Sequence, residues 1–216
     1  MRCPPNEMIG PMRTLLALLL LAATAGAAEW KQLYNARDLT GWKMAGDGRF
    51  VVEDGMLKTE GGMGLLWYTG EKFGNCTIRV VFKTTSPKSN SGLYIRIPEE
   101  PGDPWYAVHN GYEVQIDASG DEWHSTGSLY SLSPVTKMKQ KPAGEWNTMD
   151  VKLDGQTTSV YLNGKKVNEF AGNQPVPPRM KWHEPVRGPR PDSGYIGLQN
   201  HDAASTVYFR EVSVKR

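Results

Sequence analysis

From residue 30 onward the chain alternates apolar and polar residues in short runs, and no stretch holds a helical period for long. On a strand, successive side chains point to opposite faces, so each run predicts a half-buried strand. Within 76–83, Ile78, Val80 and Phe82 share a face. Within 90–97, Leu93, Ile95 and Ile97 face one way, and Asn90, Gly92, Tyr94 and Arg96 the other. The run 112–117 alternates strictly: Val114 and Ile116 share the core face, while Glu113, Gln115 and Asp117 form a polar row. That row has no apolar member and predicts the floor of a cleft.

Turn residues punctuate the runs. Asp54-Gly55 and Asn163-Gly164 suit tight hairpins because they tolerate positive φ, and Asp154-Gly155 marks a further bend. Strands are predicted at 146–153, 159–162, 165–170, 194–199 and 206–214, with a broken phase in the last that predicts a bulge near Arg210. Two stretches, 98–110 and 171–193, break the pattern and read as long loops; the second holds six prolines and three arginines. Trp42, Trp67 and Trp146 are expected in the core. The whole predicts one all-β sandwich domain, with no internal repeat.

The first residues read differently. Arg2 and Arg13 precede an apolar run from Leu15 to Ala23 and a small-residue site at Ala25-Gly26-Ala27. This is the layout of a cleaved export signal over 1–27, leaving a domain over 28–216 in the periplasm or outside the cell, without a membrane anchor. The apolar run is short for a membrane span, which takes about 20 residues. The chain has 25 basic and 23 acidic residues; without Arg2, Arg13 and Glu7 they number 23 and 22. So even a balance excludes nucleic-acid or membrane-surface binding driven by charge. Only Cys76 remains after processing, so no internal disulfide forms, and its apolar surroundings predict a buried, unreactive thiol.

Six segments carry a resemblance: NSGLYIR (90–96), GYEVQID (111–117), TGSLY (126–130), EWNTMDVKLDG (145–155), VYLNGKKV (160–167), and GYIGLQNHD followed by VYFREVSVK (194–215). In that order they resemble the 3-keto-disaccharide hydrolase domain family. The resemblance implies a two-sheet, concanavalin A-like jelly roll with a concave face. It also implies hydrolysis, or lyase-type elimination, of glycosides oxidised at carbon 3 of a sugar ring.

A 3-keto sugar gives the polar residues a chemical purpose. The ketone acidifies the proton on carbon 2, so removing it allows the substituent on carbon 1 to leave. Such a site needs a base, a group that stabilises the enolate, and an acid for the leaving oxygen. Glu113 or His201 is the expected base, Asp117 or His201 the acid, and Arg96 the enolate stabiliser or substrate clamp. Asn90, Tyr94, Gln115, Tyr130 and Gln199 are expected to bind sugar hydroxyls, and Trp105 and Trp182 to stack on sugar rings. A divalent metal could replace Arg96 as electrophile, although no compact ligand spacing occurs.

Other readings stay open. Glu113-x-Gln115-x-Asp117 resembles the E-x-D-x-E strand of laminarinase-type retaining glycosidases, with Gln for the central Asp and Asp for the last Glu. Arg96 and Glu113 could form a cross-strand ion pair. His109 and His183 lie in the loops. The same fold also serves non-catalytic carbohydrate-binding modules.

Overall fold

The computed structural model describes Met1 and residues 29–137 and 139–216; the export signal expected over 1–27 lies, apart from Met1, outside the described residues. Two antiparallel sheets face each other. The larger contains β1 (Lys31–Gln32), β3 (Arg49–Glu53), β4 (Met56–Glu60), β6 (Cys76–Thr84), β9 (Asn147–Asp154), β10 (Thr157–Leu162), β11 (Lys165–Ala171) and β13 (Val207–Lys215). They run in the order β11-β10-β9-β6-β13-β4-β3, with β1 beside β13. The smaller contains β2 (Trp42–Gly46), β5 (Gly64–Tyr68), β7 (Asn90–Ile97), β8 (Tyr112–Asp117) and β12 (Tyr195–Asn200), ordered β2-β5-β12-β7-β8. The all-β jelly-roll sandwich expected from the sequence is the fold observed.

Alternation builds the core between the sheets. Ile78, Val80 and Phe82 from β6 meet Leu93 and Ile95 from β7 and Tyr112, Val114 and Ile116 from β8, all buried. The hairpins form as their sequences require: Asp54 and Gly55 have φ values of 52° and 75°, Asn163 and Gly164 of 51° and 78°. The register between β13 and β6 shifts between Phe209 and Glu211, the bulge expected near Arg210. Burial pushes the Cys76 thiol up to about 11, which keeps it protonated and inert. Trp42 and Trp67 are buried, but Trp146 is only half-buried and not core; Lys83 and Arg210 both place their cations within 5 Å of its ring centre.

The first long loop contains a helix that the alternation did not predict, α1 (Pro104–Asn110). Asp103 caps it, its carboxylate accepting from Tyr106 N at 3.1 Å, and Pro104 fixes the first turn. The helix packs on the outer face of the smaller sheet. Ala107 and Val108 meet Ala45, Leu65, Trp67, Tyr94 and Ile97 in a second apolar cluster. One end of that face is therefore covered, and the cleft occupies the rest.

Segment 126–130 covers the outer edge of β8. Gln115 N donates to Ser128 O, Gly127 N to Gln115 O, and Tyr130 N to Glu113 O, each at 2.9–3.0 Å. The floor strand is thus bonded on both sides and holds its side chains in fixed register.

Candidate active site

The cleft has a volume of about 330 Å³. Its floor is Asn90 from β7, Glu113 and Gln115 from β8, and Gln199 from β12. Its walls are Met63, Tyr130, His201, Trp105 and Val108 from α1, and His183 from the second long loop. Of the residues expected at the site, Glu113, Gln115, Asn90, Gln199, Tyr130, His201 and Trp105 line it together.

Glu113 is the centre of the floor. It is 6% exposed and lies directly across from Tyr94, whose hydroxyl donates to Oε2 at 3.1 Å. Gln199 Nε2 in turn donates to the Tyr94 hydroxyl at 2.8 Å. Its Oε1 is buried without a partner among the described residues. Burial pushes the carboxyl up to about 8, against the weaker lowering effect of the Tyr94 and Gln199 hydrogen bonds. Gly92 on β7 makes the space: a Cβ there would lie 2.8 Å from Glu113 Cγ. Tyr94 is fully buried beneath the floor, so it holds Glu113 instead of lining the cleft.

Gln115 donates to Asn90 Oδ1 at 2.9 Å, and Asn90 to Asp117 Oδ2 at 3.3 Å. Asp117 ends this amide row and does not line the cleft. Its Oδ1 accepts from Ser119 N and Ser119 Oγ at 2.7 Å each, so it closes the turn after β8. The expected role of Asp117 as an acid has no support in this geometry. Glu113 is then the one carboxyl lining the cleft among the described residues. A retaining glycosidase needs a second, about 5–5.5 Å away.

Arg96 is also displaced from its expected place. Pairing between β7 and β12 slips at this point, Tyr195 facing Ile97 but Gly197 facing Tyr94. Arg96 takes a left-handed φ of 54° within the bulge, and the phase of the strand inverts. Ile97 therefore joins the outer cluster, while the Arg96 guanidinium turns inward and donates to the carbonyls of Pro191, Asp192 and Gly155. It makes no ion pair with Glu113. Gly194 permits the bulge, since a Cβ there would overlap the Arg96 backbone.

His201 follows the last residue of β12. Asn200 is buried and donates to Arg49 O and Glu60 O, which delivers His201 to the cleft side. His201 Nδ1 lies 2.6 Å from Asp202 Oδ2, and Asp202 also accepts from Ala204 N at 2.7 Å. An ionised carboxylate only accepts, so Nδ1 carries the ring proton and Nε2 is the basic nitrogen. Asp202 was not anticipated, although its adjacency to His201 was visible.

Burial, followed by the charges of Glu113 and Glu184, raises Tyr130 to about 12, so its hydroxyl is a dependable donor. Trp182 does not line the cleft. It stands at the rim with its ring centroid 4.7 Å from that of Trp105, and its carbonyl contacts His109 Nε2 at 3.0 Å. Arg190 fixes this loop against α1 by donating to His109 O, Val186 O, Gly188 O and Gly111 O. His183, read from the sequence only as a loop residue, is thereby brought into the wall. As for the divalent metal, no group of three or more His, Cys, Asp or Glu converges among the described residues, so they form no ready-made cation cage. No helix among them is long and apolar enough to cross a membrane.

Solved structures share this architecture. Two presumed glycosyl hydrolases from Parabacteroides distasonis are 26% and 25% identical, with TM-scores of 0.71 and 0.69. The matches cover 87% and 86% of this chain and 98% and 93% of theirs. A carbohydrate-binding module from Bacillus subtilis, 17% identical with a TM-score of 0.52, shares the fold; the match covers 82% of this chain and 96% of that one. No curated protein matches the sequence. The family comparison matches residues 29–215, nearly the whole described sandwich, and the chain belongs to the 3-keto-alpha-glucoside-1,2-lyase-like domain family.

Proposed function

We propose that this chain is a carbohydrate-active enzyme that splits 3-keto-glycosides by elimination across carbons 1 and 2, with water able to add afterwards. The observation that carries the reading is Glu113: a buried, largely neutral carboxyl at the floor of a cleft lined by hydrogen-bonding side chains. With a pKa of about 8, roughly nine-tenths of Glu113 is protonated at pH 7. It is therefore suited to donate a proton to the departing glycosidic oxygen. His201 Nε2, left free to accept by the contact of Nδ1 with Asp202, takes the proton from carbon 2. The Tyr130 hydroxyl donates to the oxygen of the developing enolate, the task that Arg96 is not placed to perform. Asn90, Gln115 and Gln199 hold ring hydroxyls, and Trp105 supplies an apolar face for the sugar. Export by the N-terminal signal places the reaction in the periplasm or outside the cell.

Incubation with a 3-keto-glucoside and the matching unoxidised glucoside tests this, with and without a chelator. Release of the leaving group from the keto form alone, lost in Glu113→Gln and His201→Ala, is the expected result. Transient ultraviolet absorbance of an enone marks elimination. Equal cleavage of both sugars, or binding without turnover, would sink the proposal; the latter would favour a carbohydrate-binding module.

A further inference from the structure

Behind one wall of the cleft lies a second hollow of about 340 Å³, lined by Trp123, His124, Ser131, Met180, Glu184 and Arg187 among others. The two cavities are lined by residues adjacent in the chain. Tyr130 and His183 face the cleft, and their neighbours Ser131 and Glu184 face the hollow.

Three side chains in this wall are linked in line. His124 Nδ1 lies 2.6 Å from Asp121 Oδ1, and His124 Nε2 lies 3.1 Å from Ser131 Oγ. Because the carboxylate accepts, Nδ1 bears the proton and Nε2 accepts from the serine hydroxyl. This is the relation in which an imidazole activates a hydroxyl as a nucleophile, and geometry defines it whatever the order in the chain. The elements are fixed by the backbone. Asp121 Oδ1 also accepts from Trp123 N at 2.9 Å, and His124 N donates to Asp121 O at 3.1 Å. Ser131 N donates to Trp123 O at 3.2 Å, and Leu132 N and Ser133 N both donate to Leu129 O.

Two further features point to chemistry. Ser131 has a left-handed φ of 56°, a conformation few non-glycine residues adopt and one that concentrates at functional sites. Arg187 puts a cation into the same hollow. Among the described residues its Nε, Nη1 and Nη2 donate to the carbonyls of Pro177, Pro185 and Pro178 and to Glu184, which takes four of its five N–H groups and holds it rigid. The His124 side chain is 38% exposed, so a substrate can reach it from solvent.

We propose that Asp121, His124 and Ser131 form a second catalytic centre, which hydrolyses short acyl esters carried on sugar hydroxyls. Ser131 Oγ attacks the ester carbonyl carbon while its proton passes to His124 Nε2. The bond from that carbon to the sugar oxygen breaks, and the sugar oxygen takes the proton from Nε2, leaving an acylated Ser131. Water then gives a proton to Nε2 and adds to the acyl carbon. Ser131 departs with that proton and a carboxylic acid is released. Asp121 orients the imidazole, and Arg187, which lines the same hollow with one N–H left over, is the cation available to the charge that develops on the carbonyl oxygen. A hollow of this size is within the range of small-molecule sites. The sugar portion of the substrate rests on the carbohydrate reading of the neighbouring cleft.

The test uses the full processed chain with p-nitrophenyl acetate and, separately, a fluorophosphonate probe. The expected result is hydrolysis above the buffer rate and a single label on Ser131, located by peptide mass spectrometry. Ser131→Gly should lose the label and slow hydrolysis at least about a hundredfold. Glycine suits the left-handed φ, so this variant should fold. His124→Gln should behave the same way, and cleavage of a 3-keto-glucoside should survive in Ser131→Gly. No label on Ser131, or unchanged hydrolysis in Ser131→Gly, overturns the proposal. The two deciding readouts, ester hydrolysis and the label on Ser131, involve no keto sugar, so the fate of the cleft reaction does not decide this one.

Discussion

The Tyr94 hydroxyl donates to Glu113 Oε2 at 3.1 Å from the position directly across the β7–β8 pair. Tyr94 and Gln199 are the side chains whose hydrogen bonds favour the charged form of a carboxyl that the sheet otherwise surrounds with protein. Burial outweighs both, and Glu113 sits near 8 where an exposed glutamate would titrate near 4.5.

That shift makes stability depend on pH. The native state keeps a proton that the unfolded chain releases between about pH 4.5 and 8, so the native state binds more protons in that window. This contribution is fully present below about pH 4.5 and is lost as pH rises through 8. At about 1.4 kcal/mol per unit, the loss is on the order of a few kcal/mol. Glu113→Gln removes the titration. Its melting temperature should fall less than that of the unaltered chain between mildly acidic and alkaline pH. Parallel declines in the two proteins would mean that Glu113 is not held neutral.

Tyr94→Phe acts on the same carboxyl from below. Loss of the hydroxyl removes a lowering influence on Glu113 and leaves Gln199 Nε2 without its acceptor. The alkaline limb of the pH–rate profile on a 3-keto-glucoside should move up by roughly half to one unit, about the worth of one hydrogen bond. Stability should drop by about 1–2 kcal/mol. An unmoved limb would separate Glu113 from the proton transfer.

The sequence made much of this floor legible. Strict alternation put Glu113 and Gln115 on the face opposite Val114 and Ile116, because each of those core residues had to be buried. The same alternation failed at Arg96, since a bulge adds a residue and inverts the phase, and nothing in 90–97 announces it. Helix α1 was announced by Asp103-Pro104, but a helix of seven residues shows too little period to register. His183 reaches the cleft through Arg190 and its backbone acceptors on α1, contacts far apart in the chain. The Asp121–His124–Ser131 line depends on a left-handed turn at Ser131 that no spacing encodes.

Arg96 should behave as a structural residue. Arg96→Met leaves the carbonyls of Pro191, Asp192 and Gly155 without their donor in a buried setting. A cost of about 3 kcal/mol follows, or a melting temperature lower by roughly 6–12 °C. The fraction that stays folded should keep its KM for a 3-keto-glucoside. An unchanged melting curve together with lost turnover would instead place Arg96 on the substrate.

Gly92 tests whether the position of Glu113 matters apart from its chemistry. Gly92 faces Gln115 across the pair, and a Cβ there would lie 2.8 Å from Glu113 Cγ and 3.0 Å from Cδ. Its φ is not left-handed, so alanine is tolerated by the backbone and the conflict falls on the glutamate side chain. Gly92→Ala should cost about 1–3 kcal/mol, as overpacking does. Glu113 must then swing away from Tyr94 toward the open cleft, where water lowers its pKa. Cleavage should fall about as far as in Glu113→Gln, and the alkaline loss of stability should shrink with it. Tyr94→Phe added to Gly92→Ala should change little further, because the hydrogen bond is already broken. Full activity in Gly92→Ala would show that the carboxyl works from more than one position, and the tight floor would then lose its catalytic meaning.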